Sequence, residues 1–238
     1  VALLTIAADE HALAGLVAQR VAAAVHDALQ TRDGAAVCLT GGTTPRRAYQ
    51  LLANDPWRSG IAWDRVDVYW SDERHVPPEH EQSNYRMARE SLLMHVPVPA
   101  PHIHRIRGEL APDEAARLYE RELPKRFDLT LLGVGEDAHV ASIFPGSPLL
   151  AERTGRAASV WVPHLHAYRI TLTPRSLLES DRILVVVAGA AKAAAVAAAL
   201  DGPTDVERWP VHLLREAAGR VEWFIDRAAA RDVSSRHA

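Results

Sequence analysis

At 238 residues the chain is long enough to enclose a full hydrophobic core, and 48% hydrophobic with 24% charged residues is ordinary for a globular protein. A formal net charge of -3 excludes a general nucleic-acid binder, whose footprint is a basic surface. The single cysteine, Cys38, excludes an internal disulfide, and no apolar run reaches the roughly 18–20 residues of a membrane span.

Helical spacing begins after Asp9, with Leu13, Leu16, Val17, Val21, Ala24, Val25 and Ala28 on one face. Asp33-Gly34 is a turn, and Ala35–Leu39 a short apolar strand. Thr40-Gly41-Gly42-Thr43-Thr44-Pro45 is a glycine-rich turn that leads into a helix through Leu52. Trp63–Trp70 gives a second strand, and Ser71–Pro78 a polar loop. Ser83 caps a helix running through Met94, and the proline-rich 96–101 segment is extended or looped. Pro112–Leu123 is a further helix, and Phe127–Leu132 a buried strand.

Strand and loop alternate over Trp161–Thr173, and Arg182–Ala188 is the clearest buried strand. Ala190–Leu200 is an alanine-rich helix ended by Pro203. Val211–Leu213 and Val221–Ile225 add strands, Asp226 caps a last short helix, and the polar tail from Asp232 frays. Alternating strands and helices predict one α/β domain over residues 1–238, with a largely parallel sheet covered by helices on both faces. The start at Val1 shows no basic segment followed by an apolar stretch, so no signal peptide is expected and a cytoplasmic location is the default.

Ligands of such sheets bind at the carboxyl ends of the strands, and four stretches fall there. In Gly41-Gly42-Thr43-Thr44-Pro45-Arg46, free N–H groups at a helix start suit a phosphate, with Thr43 or Thr44 as cap. Arg46 and Arg47 stand against the macrodipole unless an anion offsets them. The alternative is an ordinary helix cap. Lys192, in Gly189-Ala190-Ala191-Lys192, puts a second cation at a strand-to-helix turn, although a lone lysine is more often simply solvated. Asp72-Glu73-Arg74 follows the Trp63–Trp70 strand and suits a polar ligand or, equally, an ion-paired surface turn.

The fourth stretch, Gly133–Gly146, holds Asp137 and His139 two residues apart in a glycine-bracketed turn. Histidine exchanges protons near neutral pH, and a neighbouring carboxylate fixes its tautomer. His164 and His166 lack a third metal ligand at a suitable spacing, so no metal is expected. Ser142 lies outside any Gly-x-Ser-x-Gly elbow.

Five ordered motifs spread over roughly residues 9–230 give the chain a resemblance to the 6-phosphogluconolactonases of the glucosamine-6-phosphate isomerase/6-phosphogluconolactonase family. They are Thr40–Pro45; Trp70–Pro77 followed by Ser83-Asn84-Tyr85; Gly133–Gly146; Arg169–Thr173; and Gly189–Ala193. The resemblance implies a Rossmann-like, sugar-phosphate isomerase-like sheet. It implies hydrolysis of 6-phospho-D-glucono-1,5-lactone in the pentose phosphate pathway, with no required metal; no cofactor is expected, and the small-molecule partner is a phosphosugar lactone. No nucleic-acid or membrane partner is expected, and the chain is taken as a monomer or small homo-oligomer.

By motif, His139 falls on the catalytic base, with Asp137 or Asp72 to orient it. Arg74, Arg169 and Lys192 fall on substrate-binding positions, and Gly41, Gly42, Thr43 and Thr44, followed by Arg46, on the phosphate-contacting turn. The family usually has Gly-Asp-Gly-His where this chain has Glu136-Asp137-Ala138-His139. At a positive φ, Ala138 carries a cost of about 1–2 kcal/mol. A deaminase of the same fold carries an acid five residues beyond the histidine, where this chain has Phe144. A non-catalytic sugar-phosphate sensor would add a DNA-reading module, and no helix-turn-helix with a basic face precedes the core.

Overall fold

The computed structural model describes residues 3–234, so the end of the tail, 235–238, lies outside the described residues. Six parallel strands form the central sheet: β1 (Leu3–Ala7), β2 (Ala35–Leu39), β3 (Val66–Trp70), β5 (Leu129–Leu132), β8 (Ile183–Val187) and β9 (Val221–Asp226). Their order is β1-β9-β8-β5-β2-β3. The most apolar runs take the middle. Every residue of β5 and β8 is buried, as expected of parallel strands covered on both faces.

The helices are α1 (Glu10–Leu29), α2 (Thr43–Leu52), α3 (Trp57–Gly60), α4 (Asn84–Ala88), α5 (Pro112–Glu122), α6 (Pro174–Leu178), α7 (Ala193–Asp201) and α8 (Arg227–Ala230). The α1 stripe Leu13, Val17, Val21, Ala24 and Ala28 is buried, and Asp9 caps the helix by accepting the Ala12 N–H at 2.8 Å. Ser83 caps α4, and Asp226 caps α8. A π-helical turn, Arg89–Leu93, extends α4 to the expected length.

The structure departs from the sequence reading in several elements. β1 adds a strand ahead of Asp9, and Trp63–Arg65 is a 3-10 turn before β3. The expected polar loop after β3 contains β4 (Asp72–Arg74), which pairs antiparallel with β7 (Ala167–Leu172), itself hairpinned to β6 (Ala157–Val162). These three strands form a separate sheet in the order β4-β7-β6. Ser71 joins the two sheets, donating its N–H to Leu39 O and accepting the Leu172 N–H, both at 2.8 Å. The expected strand at Val211–Leu213 lies instead in a 3-10 segment, Pro210–Arg220. Arg215 ties that segment to the end of α7 through the carbonyls of Ala199 and Gly202.

Candidate active site

Four neighbouring strands, β8-β5-β2-β3, deliver the four stretches singled out above to one edge of the sheet. From β2 the chain passes to β3 on one side, while β5 lies on its other side, so the strand order reverses beside β2. Such a reversal opens a crevice between the connecting loops. Here it comprises two adjoining cavities of about 320 and 580 Å³ that share Asp72, Arg74, Gly135, His139 and Lys192. The first is bounded by the Gly41–Thr44 turn, the second by Phe144, His164 and Arg169.

After β5 the chain folds back on itself. Gly135 N–H donates to His139 O at 2.9 Å, and Ala138 N–H to Gly135 O at 3.0 Å. Ala138 sits at φ 62°, the left-handed region, with its methyl fully buried. The turn sets His139 Nδ1 2.6 Å from Asp137 Oδ1, which also accepts the His139 N–H at 3.2 Å. Asp137 can only accept here, so Nδ1 carries the proton and Nε2 is left as the basic nitrogen. Burial would raise the Asp137 carboxyl, but the His139 ring bond, its charge and the backbone N–H together hold it below its ordinary value. Phe144 lies against the imidazole, with ring centroids 4.2 Å apart. A Cβ on Gly135 would come within 2.1 Å of Nδ1, so only glycine leaves the ring its place.

Asp72 does not bond His139. Its Oδ2 accepts from Ser142 Oγ at 2.6 Å and its Oδ1 from Asn84 Nδ2 at 3.2 Å. Next to it, buried Glu73 accepts the N–H groups of Arg74, Asn84 and Tyr85 and the Ser83 hydroxyl, at 2.7–2.9 Å. Burial nonetheless pushes its carboxyl above the ordinary value. Asn84 and Ser142 thus build the site without standing out as chemistry in the sequence, whereas Glu73 belongs to the Asp72-Glu73-Arg74 stretch singled out above. The signals for Asn84 are its place after the cap residue Ser83 and its part in the Ser83-Asn84-Tyr85 motif.

Three cations border the crevice. Arg74 and Arg169 face each other across the β4–β7 pair. Like charges directly opposite one another destabilise a sheet, and an anion between them would offset this. Burial, then the Arg74 charge, lowers the Arg169 guanidinium from its ordinary value, while Asp72 and Glu73 act in the other direction. Lys192 lines both cavities and has no ion-pair partner among the described residues.

The Gly41–Thr44 turn lines the crevice as expected, but its cap differs. Gly42, at φ 114°, takes the N-cap position, and no threonine side chain caps α2. The first bond in the helix is Arg46 N–H to Gly42 O at 3.2 Å, which leaves the Thr43 and Thr44 N–H groups without helical acceptors. Arg46 is not brought to the crevice. At the fourth helical position it is half-exposed, with its guanidinium 3.9 Å from Glu90 Oε2 and outside the crevice lining. Arg47 likewise pairs with Glu10, at 3.3 Å. Among the described residues no three His, Cys, Asp or Glu side chains gather to hold a metal, and His164 packs edge-on against Phe144.

A model of the glucosamine-6-phosphate isomerases/6-phosphogluconolactonase matches residues 8–223. A probable chloroplastic 6-phosphogluconolactonase of Oryza sativa subsp. indica is 34% identical, over 98% of this chain and 76% of its own. The 6-phosphogluconolactonase of Streptomyces coelicolor is 34% identical over 95% and 93%. Among solved structures, the 6-phosphogluconolactonase of Thermotoga maritima superposes with a TM-score of 0.82 at 28% identity, covering 94% of this chain and 99% of that one.

Proposed function

The chain belongs to the glucosamine-6-phosphate isomerase/6-phosphogluconolactonase family, and on that premise we propose that it hydrolyses 6-phospho-D-glucono-1,5-lactone to 6-phospho-D-gluconate with His139 as general base. The enzyme is a lactone hydrolase of the oxidative pentose phosphate pathway. The observation that carries the role of His139 is its 2.6 Å bond to Asp137 in a crevice bordered by three cations.

The 6-phosphate lies by the free N–H groups of Thr43 and Thr44, with Lys192 and Arg169 supplying counter-charge. Holding that remote group keeps C1 of the lactone near His139. His139 Nε2 takes a proton from water as its oxygen bonds to C1, and Asp137 stabilises the imidazolium. The tetrahedral oxyanion needs donors. The N–H groups of Gly135, Ala138 and His139 are already committed inside the turn, which favours Arg74. Collapse breaks the bond from C1 to the ring oxygen, and Nε2 returns its proton to that oxygen. Asp72 acts by fixing Ser142 and Asn84 around the site.

A deaminase reading would place an acid where Phe144 stacks on the base, and phenylalanine moves no proton. The whole chain is taken as one domain, cytoplasmic, a monomer or small homo-oligomer, acting without a nucleic-acid or membrane partner. The acidic balance supports the reading without nucleic acid, and the lone, buried Cys38 the cytoplasmic one.

The test is hydrolysis of freshly generated lactone by His139→Ala, with the spontaneous rate subtracted. A loss of about 100- to 10,000-fold in kcat with folding intact is expected. Near-parental kcat at neutral pH removes His139 from this role.

A further inference from the structure

The peptide that joins Ala138 to His139 is held from outside the catalytic turn. Its carbonyl accepts the N–H of Val211 at 3.0 Å, and its own N–H donates to Asp137 Oδ1. The same Asp137 oxygen binds His139 Nδ1. One peptide plane therefore sets where carboxylate and imidazole meet. That plane is not where the chain would rest unaided, because a non-glycine residue in the left-handed region carries about 1–2 kcal/mol of strain.

Val211 lies in the first turn of the Pro210–Arg220 3-10 segment, where an N–H lacks a helical acceptor and is free to reach Ala138. The residues just before it form a strap across the catalytic stretch. Glu207 O accepts the Gly146 N–H at 3.1 Å, so the strap touches the stretch at Ala138 and again at Gly146. His212, 1% exposed, latches the strap. Its Nε2 lies 2.8 Å from Ala198 O of α7, which only accepts, so Nε2 carries the proton. Its Nδ1 then accepts the Asp205 N–H at 2.9 Å. Both ring nitrogens are committed, one to the helix and one to the start of the strap.

We propose that the strap from Asp205 to Val211, latched by His212, orients His139, and that His212 is a positioning residue for lactone hydrolysis, a role that presupposes His139 as the general base. His212 touches neither the crevice nor the base. It acts through the Val211 N–H and the Ala138–His139 peptide. Ala138 makes the latch necessary, since glycine would adopt the same backbone without strain.

Steady-state lactone hydrolysis by His212→Leu and His212→Asn tests this. Leucine removes both ring bonds, whereas the asparagine amide oxygen reaches the place of Nδ1 and restores the acceptor for Asp205. In His212→Leu kcat is expected to fall about 10- to 100-fold while KM stays within about twofold. His212→Asn recovers most of the loss, and adding Ala138→Gly to His212→Leu recovers part of it. If His212→Leu does not accumulate as folded protein, His212→Gln, which keeps the α7 bond and gives up the Asp205 bond, takes its place in the same comparison. Parental kcat in a folded variant, or a raised KM with unchanged kcat, overturns the role. If His139→Ala is inactive while the His212 variants keep full kcat, the strap alone is wrong. If His139→Ala is fully active, the general-base reading has failed first.

Discussion

Asp137 does two things with one oxygen: it fixes the proton on His139 Nδ1 and it closes the backbone turn. Asp137→Asn can present its amide N–H to Nδ1, which favours the wrong tautomer, so a drop in kcat of about 100- to 10,000-fold is expected in the lactone assay. The same contact gives a pH signature. The Asp137 carboxyl is held below its ordinary value of 3.8, so the stability it contributes is fully present above that pH and is lost as pH falls through the lowered value. Unfolding by urea between about pH 5 and 2 should therefore show a shallower acid loss in Asp137→Asn than in the parent. At this scale much of the site is legible. His139 stands out because glycines bracket it at a strand end. Arg46 misleads, because composition does not reveal which way the fourth residue of a helix points. The bond between Asp137 and His139, rather than one from Asp72, becomes visible only when the turn closes.

Glu73 organises an element junction. It gathers four donors from β4 and the start of α4, and so places Arg74 on one side and Asn84 on the other. In Glu73→Gln one of the two acceptor oxygens becomes an amide nitrogen facing donors. A destabilisation of about 1–3 kcal/mol is expected from chemical unfolding. β4 also shows why element reading fails locally. Asp72-Glu73-Arg74 has the composition of a solvated loop, yet pairing with β7 and buried hydrogen bonds make it a strand. β1 is hidden for the opposite reason. It is a five-residue edge strand whose Leu3 and Ile6 stay exposed, so it shows no buried alternation. Val211 and Leu213 are as apolar as strand residues, but Pro210 and the Arg215 and His212 bonds to α7 wind that segment into a 3-10 turn. The fully buried runs β5 and β8 are read correctly, since their burial leaves no competing demand.

For the whole molecule, the crevice gathers the ends of four strands, so a ligand seated there ties together segments far apart in the chain. A ligand at one hundred times its Kd adds about 2.7 kcal/mol to stability. For 6-phosphogluconate, and a chain of this size, that corresponds to a rise in Tm of roughly 5–11 °C. Thermal unfolding with and without the compound measures it, and Lys192→Ala should shrink the shift. The α/β class follows from alternation along the chain, whereas the second sheet depends on pairings between residues about a hundred positions apart, such as Asp72 with Thr171. The longest such pairing is β1 with β9, Leu3 opposite Glu222 through Ala7 opposite Asp226. A ribosome adds about 5–20 residues per second, so the first strand made waits roughly 10–45 s for the last. Throughout that interval the backbone N–H and C=O groups of Leu3–Ala7 lack the strand they pair with in the finished sheet, so the newborn chain carries an unpaired β1 on both of its edges where the folded protein leaves only one.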